Sequence, residues 1–238
     1  MEKIIFVISL FFSLVLMSCG VEEPSGGENA QGGGSHSSVN HEYVDLGLPS
    51  GTLWATMNVG ASSPEDYGDY FAWGETATKR FCDLETYRWC NGSYQKWTKY
   101  CTSSYWGYKG FVDNKTELDL ADDAAFVNWG PEWRIPSLDQ IIELLDYCTR
   151  EWVVMDGVNG YLLTSKLNGA SLFLPTTGYQ YGNSVYYRGT DGYYWSRSLS
   201  GSDMFKAHVI NFWSVAIYSG SHDRHYGQTV RPVRMSQN

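Results

Sequence analysis

Short runs of β-forming residues, separated by glycine and asparagine, fill the chain beyond residue 150. Each run alternates apolar and polar residues over a stretch too short for a helix, so each predicts a strand. Aromatic residues make up 16% of the chain, which supplies the buried area that so many short strands need. The predicted strands are residues 152–155, 161–165, 171–174, 193–197, 205–213, 215–218 and 229–233, preceded by a hairpin of residues 43–46 and 53–58.

Two helices are predicted before residue 150. The clearer one begins after Ser137, whose hydroxyl is placed to cap the helix while Gln140, three residues on, completes a capping box. Its apolar face is predicted to consist of Ile141, Ile142, Leu144, Leu145 and Cys148. A weaker helix is predicted over residues 119–127. Two helices with many short strands predict an α+β fold, in which the helices pack on short antiparallel sheets joined by many loops.

The amino-terminal segment predicts export rather than a membrane span. Residues 4–17 are apolar apart from two serines, and this run is shorter than the roughly 20 residues that a spanning helix needs. The run ends in Leu-Met-Ser-Cys at residues 16–19, which resembles the lipobox of bacterial lipoproteins. This resemblance implies a signal peptide over residues 1–18 and lipidation of Cys19, which would be the contact with the membrane.

A flexible tether is predicted between the lipid anchor and the folded body. Residues 19–40 are rich in glycine and serine and contain no apolar run, which is typical of a flexible linker. Glu22 and Glu23, close behind Cys19, resemble the signals that carry some Bacteroidota lipoproteins to the outer surface. We therefore expect a single domain over residues 41–236, anchored to the outer membrane and facing the cell exterior.

The charge balance excludes two classes of partner. The chain carries 26 acidic and 17 basic residues, a formal net charge of −9. Nucleic-acid binding needs a basic face, and binding to anionic lipid headgroups needs a polybasic segment. Neither a nucleic acid nor a lipid surface bound by charge is therefore expected.

Several motifs in order along the body resemble the Fibrobacter succinogenes major paralogous domain family. They are residues 42–55 (EYVDLGLPSGTLWA), 133–137 (WRIPS), 173–175 (FLP), 192–196 (GYYWS) and 230–234 (VRPVR). This resemblance implies a C-type-lectin-like fold on a surface-attached bacterial lipoprotein. It implies little about a ligand.

With Cys19 assigned to the lipid, four cysteines remain in the body. In an exported chain they can form one or two disulfides, whose pairing the sequence does not fix, or they can stay as buried thiols. The exported context favours disulfides. The cysteines are Cys82, Cys90, Cys101 and Cys148.

No catalytic motif or metal-ligand pattern is found, and we expect neither an enzyme nor a cofactor. The pair His222 and His225 lies in a segment predicted to be a loop, so solvated histidines are favoured over a metal site. Residues 134–137 resemble a segment of formylglycine-generating enzymes, whose activity needs a cysteine pair late in the chain. Here no cysteine follows Cys148, which argues against that activity.

Residues 178–228 are the candidate ligand-binding segment. They contain 8 Tyr, 8 Ser and 7 Gly, the residue types that dominate antibody binding loops. The stretch also resembles the variable region of proteins diversified by retroelements, which implies exposed, ligand-contacting side chains. Strand alternation over residues 205–213 predicts Asn211 and Trp213 as exposed. The candidate ligand-binding residues are His208, Asn211, Trp213, Tyr218, His222, Asp223, Arg224 and His225.

These observations favour a surface-displayed binding module that recognises an extracellular protein or glycan. A subunit of a fimbrial or other surface assembly is the alternative. An enzyme related to formylglycine-generating enzymes is a further alternative.

Overall fold

A computed structural model describes residues 41–236, and it shows a β-rich body. Strands account for 37% of these residues and helices for 11%, so the sheets and not the helices define the architecture. The predicted α+β, C-type-lectin-like arrangement of helices packed on sheets is therefore wrong. The predicted signal peptide, lipidation site and tether lie outside the described residues. Within residues 41–236, no helix has the length and apolarity that crossing a membrane requires.

The elements follow one another in chain order. The first part contains the strands β1 (Tyr43–Asp45), β2 (Thr52–Ala55) and β3 (Phe71–Ala72) and the helices α1 (Ala124–Trp129) and α2 (Leu138–Tyr147). The middle part contains β4 (Cys148–Met155), β5 (Val158–Ser165), β6 (Ser171–Pro175), β7 (Tyr179–Tyr181) and β8 (Ser184–Tyr186). The last part contains β9 (Gly192–Leu199), β10 (Lys206–Trp213), β11 (Ala216–Asp223), β12 (Gly227–Gln228) and β13 (Val233–Met235).

Residues 41–236 form four small sheets whose paired strands are all antiparallel. The strand orders are β1-β2-β13, β11-β10-β9, β3-β12-β7-β8 and β4-β5-β6. The predicted hairpin of residues 43–46 and 53–58 is confirmed by the pairing of β1 with β2, which sets Tyr43 opposite Ala55. In two of these sheets, strands from the end of the chain pair with strands from its beginning: β13 with β2, and β12 with β3.

The sheet of β9, β10 and β11 lies between two apolar cores. Val209 of β10 packs with Trp195 in the first core, while the neighbouring Ile210 and Phe212 pack with Tyr194 in the second. Side chains alternate between the two faces of a strand, so a strand that is apolar on both faces must be covered on both. This sheet is therefore the centre of the body.

The predicted capping box is confirmed at the start of α2. Ser137 Oγ accepts a hydrogen bond from the Gln140 backbone N–H at 3.2 Å, and Gln140 Oε1 accepts one from the Ser137 N–H at 2.9 Å. On the predicted apolar face, Ile142 is exposed, and Ile141, Leu144 and Leu145 are buried. The helix is therefore amphipathic, with a narrower buried stripe than predicted.

The helix predicted over residues 119–127 is replaced by two shorter elements. Leu120–Asp122 forms one turn of 3-10 helix, and α1 starts only after Asp123. The Asp123 carboxylate accepts hydrogen bonds from the backbone N–H groups of Ala125 and Phe126 at 2.9 and 3.1 Å. An aspartate that caps a helix adopts an extended backbone, so it interrupts the predicted helix at this point.

The predicted disulfides are absent, because all four cysteines of the described body are free and buried. Cys90 and Cys101 lie in the first core, but Cys148 lies in the second. Cys82 Sγ packs against Gly227. A β-carbon at Gly227 would lie only 2.8 Å from this sulfur atom. These thiols fill space in the cores as small apolar groups.

Candidate functional site

A tight hairpin of β7 and β8 presents tyrosines at the surface. Tyr179 lies opposite Tyr186 in this hairpin, and Tyr181 lies opposite Ser184. The hairpin folds closely onto the chain before it, because a β-carbon at Gly178 would lie 2.1 Å from the Tyr186 carbonyl oxygen. Gly178 also has φ +64°, so both the close packing and the backbone conformation favour glycine at this position. We define the tyrosine surface as Tyr179, Tyr181, Tyr186, Tyr187, Tyr193, His222 and Tyr226.

Tyr179 is the centre of the tyrosine surface. Its ring lies parallel to that of Tyr226, with centroids 5.3 Å apart, and near-parallel to that of Tyr186 at 5.8 Å. The rings of Tyr193 and His222 approach it edge-on at 5.1 and 5.0 Å. Such stacked and edge-to-face pairs are favourable arrangements for aromatic rings, so the cluster is preorganised.

The exposed part of this surface is formed by the hairpin. Tyr181, Tyr186 and Tyr187 are 46%, 44% and 58% exposed, whereas the remaining members are half-buried beneath them. Half-buried rings hold the exposed rings in place. The surface therefore combines accessible area with little side-chain freedom to lose on binding.

Two of the predicted binding residues, Trp213 and Tyr218, are exposed on the face of the central sheet that carries Tyr193. Asn211 of the central strand lies between Tyr193 and Tyr218 in register, and directly paired residues share one face of a sheet. Tyr218 and Trp213 are exposed, and their rings meet edge-on at 5.6 Å. The predicted exposure of Trp213 and Tyr218 is thus confirmed.

Burial keeps His222 of the tyrosine surface uncharged at neutral pH. It lowers the pKa of His222 to about 4, an effect that Lys206 and His225 reinforce and Asp223 opposes. Burial also raises the pKa of Tyr193 and of Tyr226 to about 12. The surface offers hydroxyl and imidazole groups for hydrogen bonding without a formal charge of its own.

The predicted exposure of Arg224 is wrong, because its guanidinium is fully buried in the first core. It lies over the rings of Trp97 at 4.2 Å and Trp73 at 4.9 Å. Its Nη1 donates to the carbonyl oxygens of Tyr100 and Met204 at 3.0 and 2.9 Å. Arg224 therefore holds the core together and cannot reach a ligand at the surface.

Burial also corrects the expectation for Asn211 and His225, which are 8% and 5% exposed. Asn211 Nδ2 donates to the Gly192 carbonyl oxygen at 3.4 Å, inside the sheet. His208 and Asp223 are half-buried, and His208 Nδ1 lies 3.3 Å from the Gly220 carbonyl oxygen. Of the predicted set, His222 therefore belongs to the tyrosine surface, and Trp213 and Tyr218 are exposed on the same face of the central sheet.

The histidines of this region are not arranged as a metal centre. His222 Nδ1 lies 2.7 Å from Gln228 Nε2, so the glutamine amide donates to it. In the described part of the chain, no group of three or more His, Cys, Asp or Glu side chains is placed to hold a metal ion. The contacts that define the candidate site are those between its aromatic rings.

Comparison with known proteins finds one family model that matches part of this region. The model, described as a domain of unknown function (DUF8237), matches residues 159–233, a span that contains the tyrosine surface and the central sheet. No curated protein and no solved structure matches the chain. These comparisons do not test the resemblance to the Fibrobacter succinogenes major paralogous domain family, which stays a prediction.

The hairpin tyrosines are the part of the site that sequence reasoning missed. Tyr179 and Tyr181 alternate before Gly182-Asn183, a dipeptide that favours a two-residue hairpin turn. Tyr186 follows on the other side of this turn. The tyrosine content of residues 178–228 identified the region, and this turn signal would have located its exposed tip.

Proposed function

We propose that this chain is a binding module, displayed at the cell surface, that recognises an extracellular protein through the tyrosine surface. The observation that carries this proposal is a preorganised aromatic cluster with three exposed tyrosines at its tip. Tyrosine supplies large amphipathic contact area at low entropic cost, which is why it dominates binding loops. Display at the surface rests on the sequence pattern at Cys19, outside the described residues.

The ring geometry favours a protein over a glycan as the ligand. A sugar ring stacks on an open aromatic face, but the face of Tyr179 is covered by Tyr226 and Tyr186. The exposed Tyr181, Tyr186 and Tyr187 supply apolar ring surface and hydroxyl groups, which suit the mixed apolar and hydrogen-bonding contacts of a protein interface. Glycan recognition is the competing hypothesis, and the experiment must distinguish it from protein recognition.

The test uses the compact unit Ser38–Asn238 on arrays of purified extracellular proteins and of glycans. For a protein target so identified, Tyr186→Ala with Tyr187→Ala should weaken binding by roughly tenfold or more. The control is Tyr105→Ala with Tyr108→Ala, a second pair of exposed tyrosines that lies outside the tyrosine surface. Binding to glycans alone, or equal losses in both double variants, would overturn the proposal.

A further inference from the structure

A cleft of about 470 Å³ lies where β9, β13 and the segment before α2 meet, and three arginines line it. This volume falls within the range of small-molecule sites in proteins. No member of the tyrosine surface lines the cleft. The lining residues are Leu118, Leu120, Pro131, Glu132, Arg134, Gln140, Arg197, Val233, Arg234 and Met235.

Backbone hydrogen bonds fix the three arginines relative to one another. The Arg134 N–H donates to the Val233 carbonyl oxygen at 2.9 Å, and the Val233 N–H donates back to Arg134 at 2.8 Å. The Arg197 N–H donates to the Pro136 carbonyl oxygen at 2.8 Å, which joins β9 to the same segment. Arg234 follows Val233 directly. The cleft is thus built on paired backbone rather than on free loops.

Arg134 differs from the other two arginines in its ion pairing. No ion pair joins it to any residue in 41–236, whereas Arg197 pairs with Glu117 at 2.8 Å and Arg234 with Glu132 at 3.0 Å. Arg134 stacks on Phe126 at 4.3 Å and donates from Nη1 to the Trp133 carbonyl oxygen at 2.8 Å. The Asp123 carboxylate attracts this charge from a distance but forms no ion pair with it, because that carboxylate accepts hydrogen bonds from backbone N–H groups.

Several guanidinium donors in the cleft still need an acceptor. Within residues 41–236, no acceptor bonds to Nη2 of Arg134 or Nη2 of Arg197, and neither atom is closed off from solvent. Nε of Arg234 is buried and has no acceptor there. Burial lowers the pKa of Arg134, an effect that the Asp123 charge opposes and the Arg197 charge reinforces. Two like charges close together favour an anion between them.

Apart from the arginines, Glu132 and Gln140, the lining is apolar. Leu118 and Val233 are buried and form part of the wall, while Leu120 and Met235 are 49% and 53% exposed at its edge. A hydrated inorganic anion gains nothing from such a wall. An organic molecule with an apolar body gains the free energy of removing that body from water.

We propose that this cleft binds a small organic acid, whose carboxylate is held by Arg134 and Arg197 and whose apolar body lies against Leu120 and Met235. A planar guanidinium matches the two oxygens of a carboxylate, and such charged hydrogen bonds are stronger than neutral ones. An acidic chain with net charge −9 repels anions elsewhere on its surface, so this cleft is a local exception.

The test is an NMR titration of the protein that follows the Nε–Hε signals of its arginines. The probe is N-acetyl-leucine, the uncharged control ligand is N-acetyl-leucinamide, and inorganic phosphate represents an anion without an apolar body. We expect saturable shifts with N-acetyl-leucine, at least tenfold weaker binding of phosphate and no shifts with the amide. No saturable shift with N-acetyl-leucine, or equal binding of phosphate or the amide, would overturn the proposal.

Matched variants locate the binding in the cleft. Arg134→Gln should weaken the binding of N-acetyl-leucine by roughly tenfold or more, whereas Arg80→Gln, an equal charge change at an exposed site, should not. Leu120→Glu tests the same cleft without the loss of a structural contact, because Leu120 is exposed. Its control is Leu167→Glu at a 51% exposed leucine outside the cleft. Equal losses of N-acetyl-leucine binding in a variant and its control would show that N-acetyl-leucine binds outside the cleft, which would overturn the proposal.

Discussion

The guanidinium of Arg224 is buried although no carboxylate of residues 41–236 forms an ion pair with it. Its Nε donates to the Tyr87 hydroxyl at 3.2 Å, and its Nη2 donates to the Lys99 carbonyl oxygen at 3.3 Å. The faces of the surrounding rings, such as that of Trp97, supply partial negative charge above the cation. Backbone oxygens and ring faces together replace the water that burial removes.

We predict that Arg224→Lys lowers the free energy of unfolding by roughly 2–4 kcal/mol. A lysine ammonium keeps the positive charge, but it cannot reach all the acceptors that surround the planar guanidinium of Arg224. Donors of the ammonium and some of these acceptors would therefore be buried without a hydrogen bond. Urea unfolding measures the loss. Arg88→Lys is the control, because Arg88 also lies over a tryptophan, Trp89 at 4.5 Å, but is exposed. Similar small effects of both substitutions would contradict the role given to Arg224.

Two histidines should make the stability of the body depend on pH. Burial lowers the pKa of His222 and of His225 to about 4, against about 6.5 in the unfolded chain. Between pH 6.5 and 4 the unfolded state binds protons that the folded state does not, so stability falls as the pH falls through this window. Above pH 6.5 the two histidines contribute no slope.

Each of these histidines should contribute a slope of up to about 1.4 kcal/mol per pH unit. Urea unfolding at pH 7.5, 6.0 and 5.0 measures the slope in the original chain and in His222→Gln with His225→Gln. The double variant should show a flatter dependence over this range. An unchanged slope would mean that both histidines titrate normally in the folded protein.

At the scale of elements, local patterns located most strands, and tertiary contacts decided where they end. The strand predicted over residues 215–218 continues to Asp223. Glycine and serine in Ser219–Asp223 had indicated a loop, but these residues pair with β10 and therefore stay in the strand. The strand predicted over residues 229–233 is wrong except at Val233, because β12 ends at Gln228 and β13 begins at Val233. The segment between these strands contains the fully buried Arg231. Its Nε donates to Asn58 Oδ1 at 2.7 Å, a contact that no local pattern reveals.

The candidate site was predictable as a region but not residue by residue. Alternation along β10 placed Asn211 and Trp213 on an exposed face, but Asn211 is buried there and Val209 of the same face packs in the first core. Arg224 and His225 stand among polar residues, which locally indicate exposure. Their burial depends on rings from residues 73–100, far away in sequence.

Close packing between β9 and β10 gives a prediction for a single glycine. A β-carbon at Gly192 would lie 2.1 Å from the ring of Phe212, which belongs to the second core. Gly192→Ala should therefore lower the free energy of unfolding by roughly 1–3 kcal/mol through overpacking. The control is Gly201→Ala, since nothing lies within 4 Å of a β-carbon there. Thermal unfolding of both variants checks this, and equal melting temperatures would contradict it.

At the scale of the whole molecule, packing rather than covalent cross-links holds the described body together. The four free cysteines are buried in or against the cores, and burial raises the pKa of Cys82 to about 12. A thiol that stays protonated is a poor nucleophile. The body should therefore be insensitive to the redox conditions around it.

We predict that a reductant does not change the melting temperature of a Cys19→Ser variant. A thiol reagent should react slowly with the folded protein and then with four thiols after unfolding in guanidinium chloride. The Cys19 substitution removes the one cysteine outside the described residues. Fewer than four reactive thiols in the unfolded protein would show that a disulfide forms after all.

The antiparallel sheet β1-β2-β13 has a consequence for how the protein is made. Its middle strand carries Trp54, but the neighbour that flanks it, Val233–Met235, is translated long afterwards. The Arg231 contact to Asn58 spans 173 residues, so all of the intervening chain must be translated before the contact can form. A nascent chain that emerges amino terminus first would expose this tryptophan until its partner strand follows. Chaperone occupancy of the nascent chain should thus persist until β13 has emerged from the ribosome.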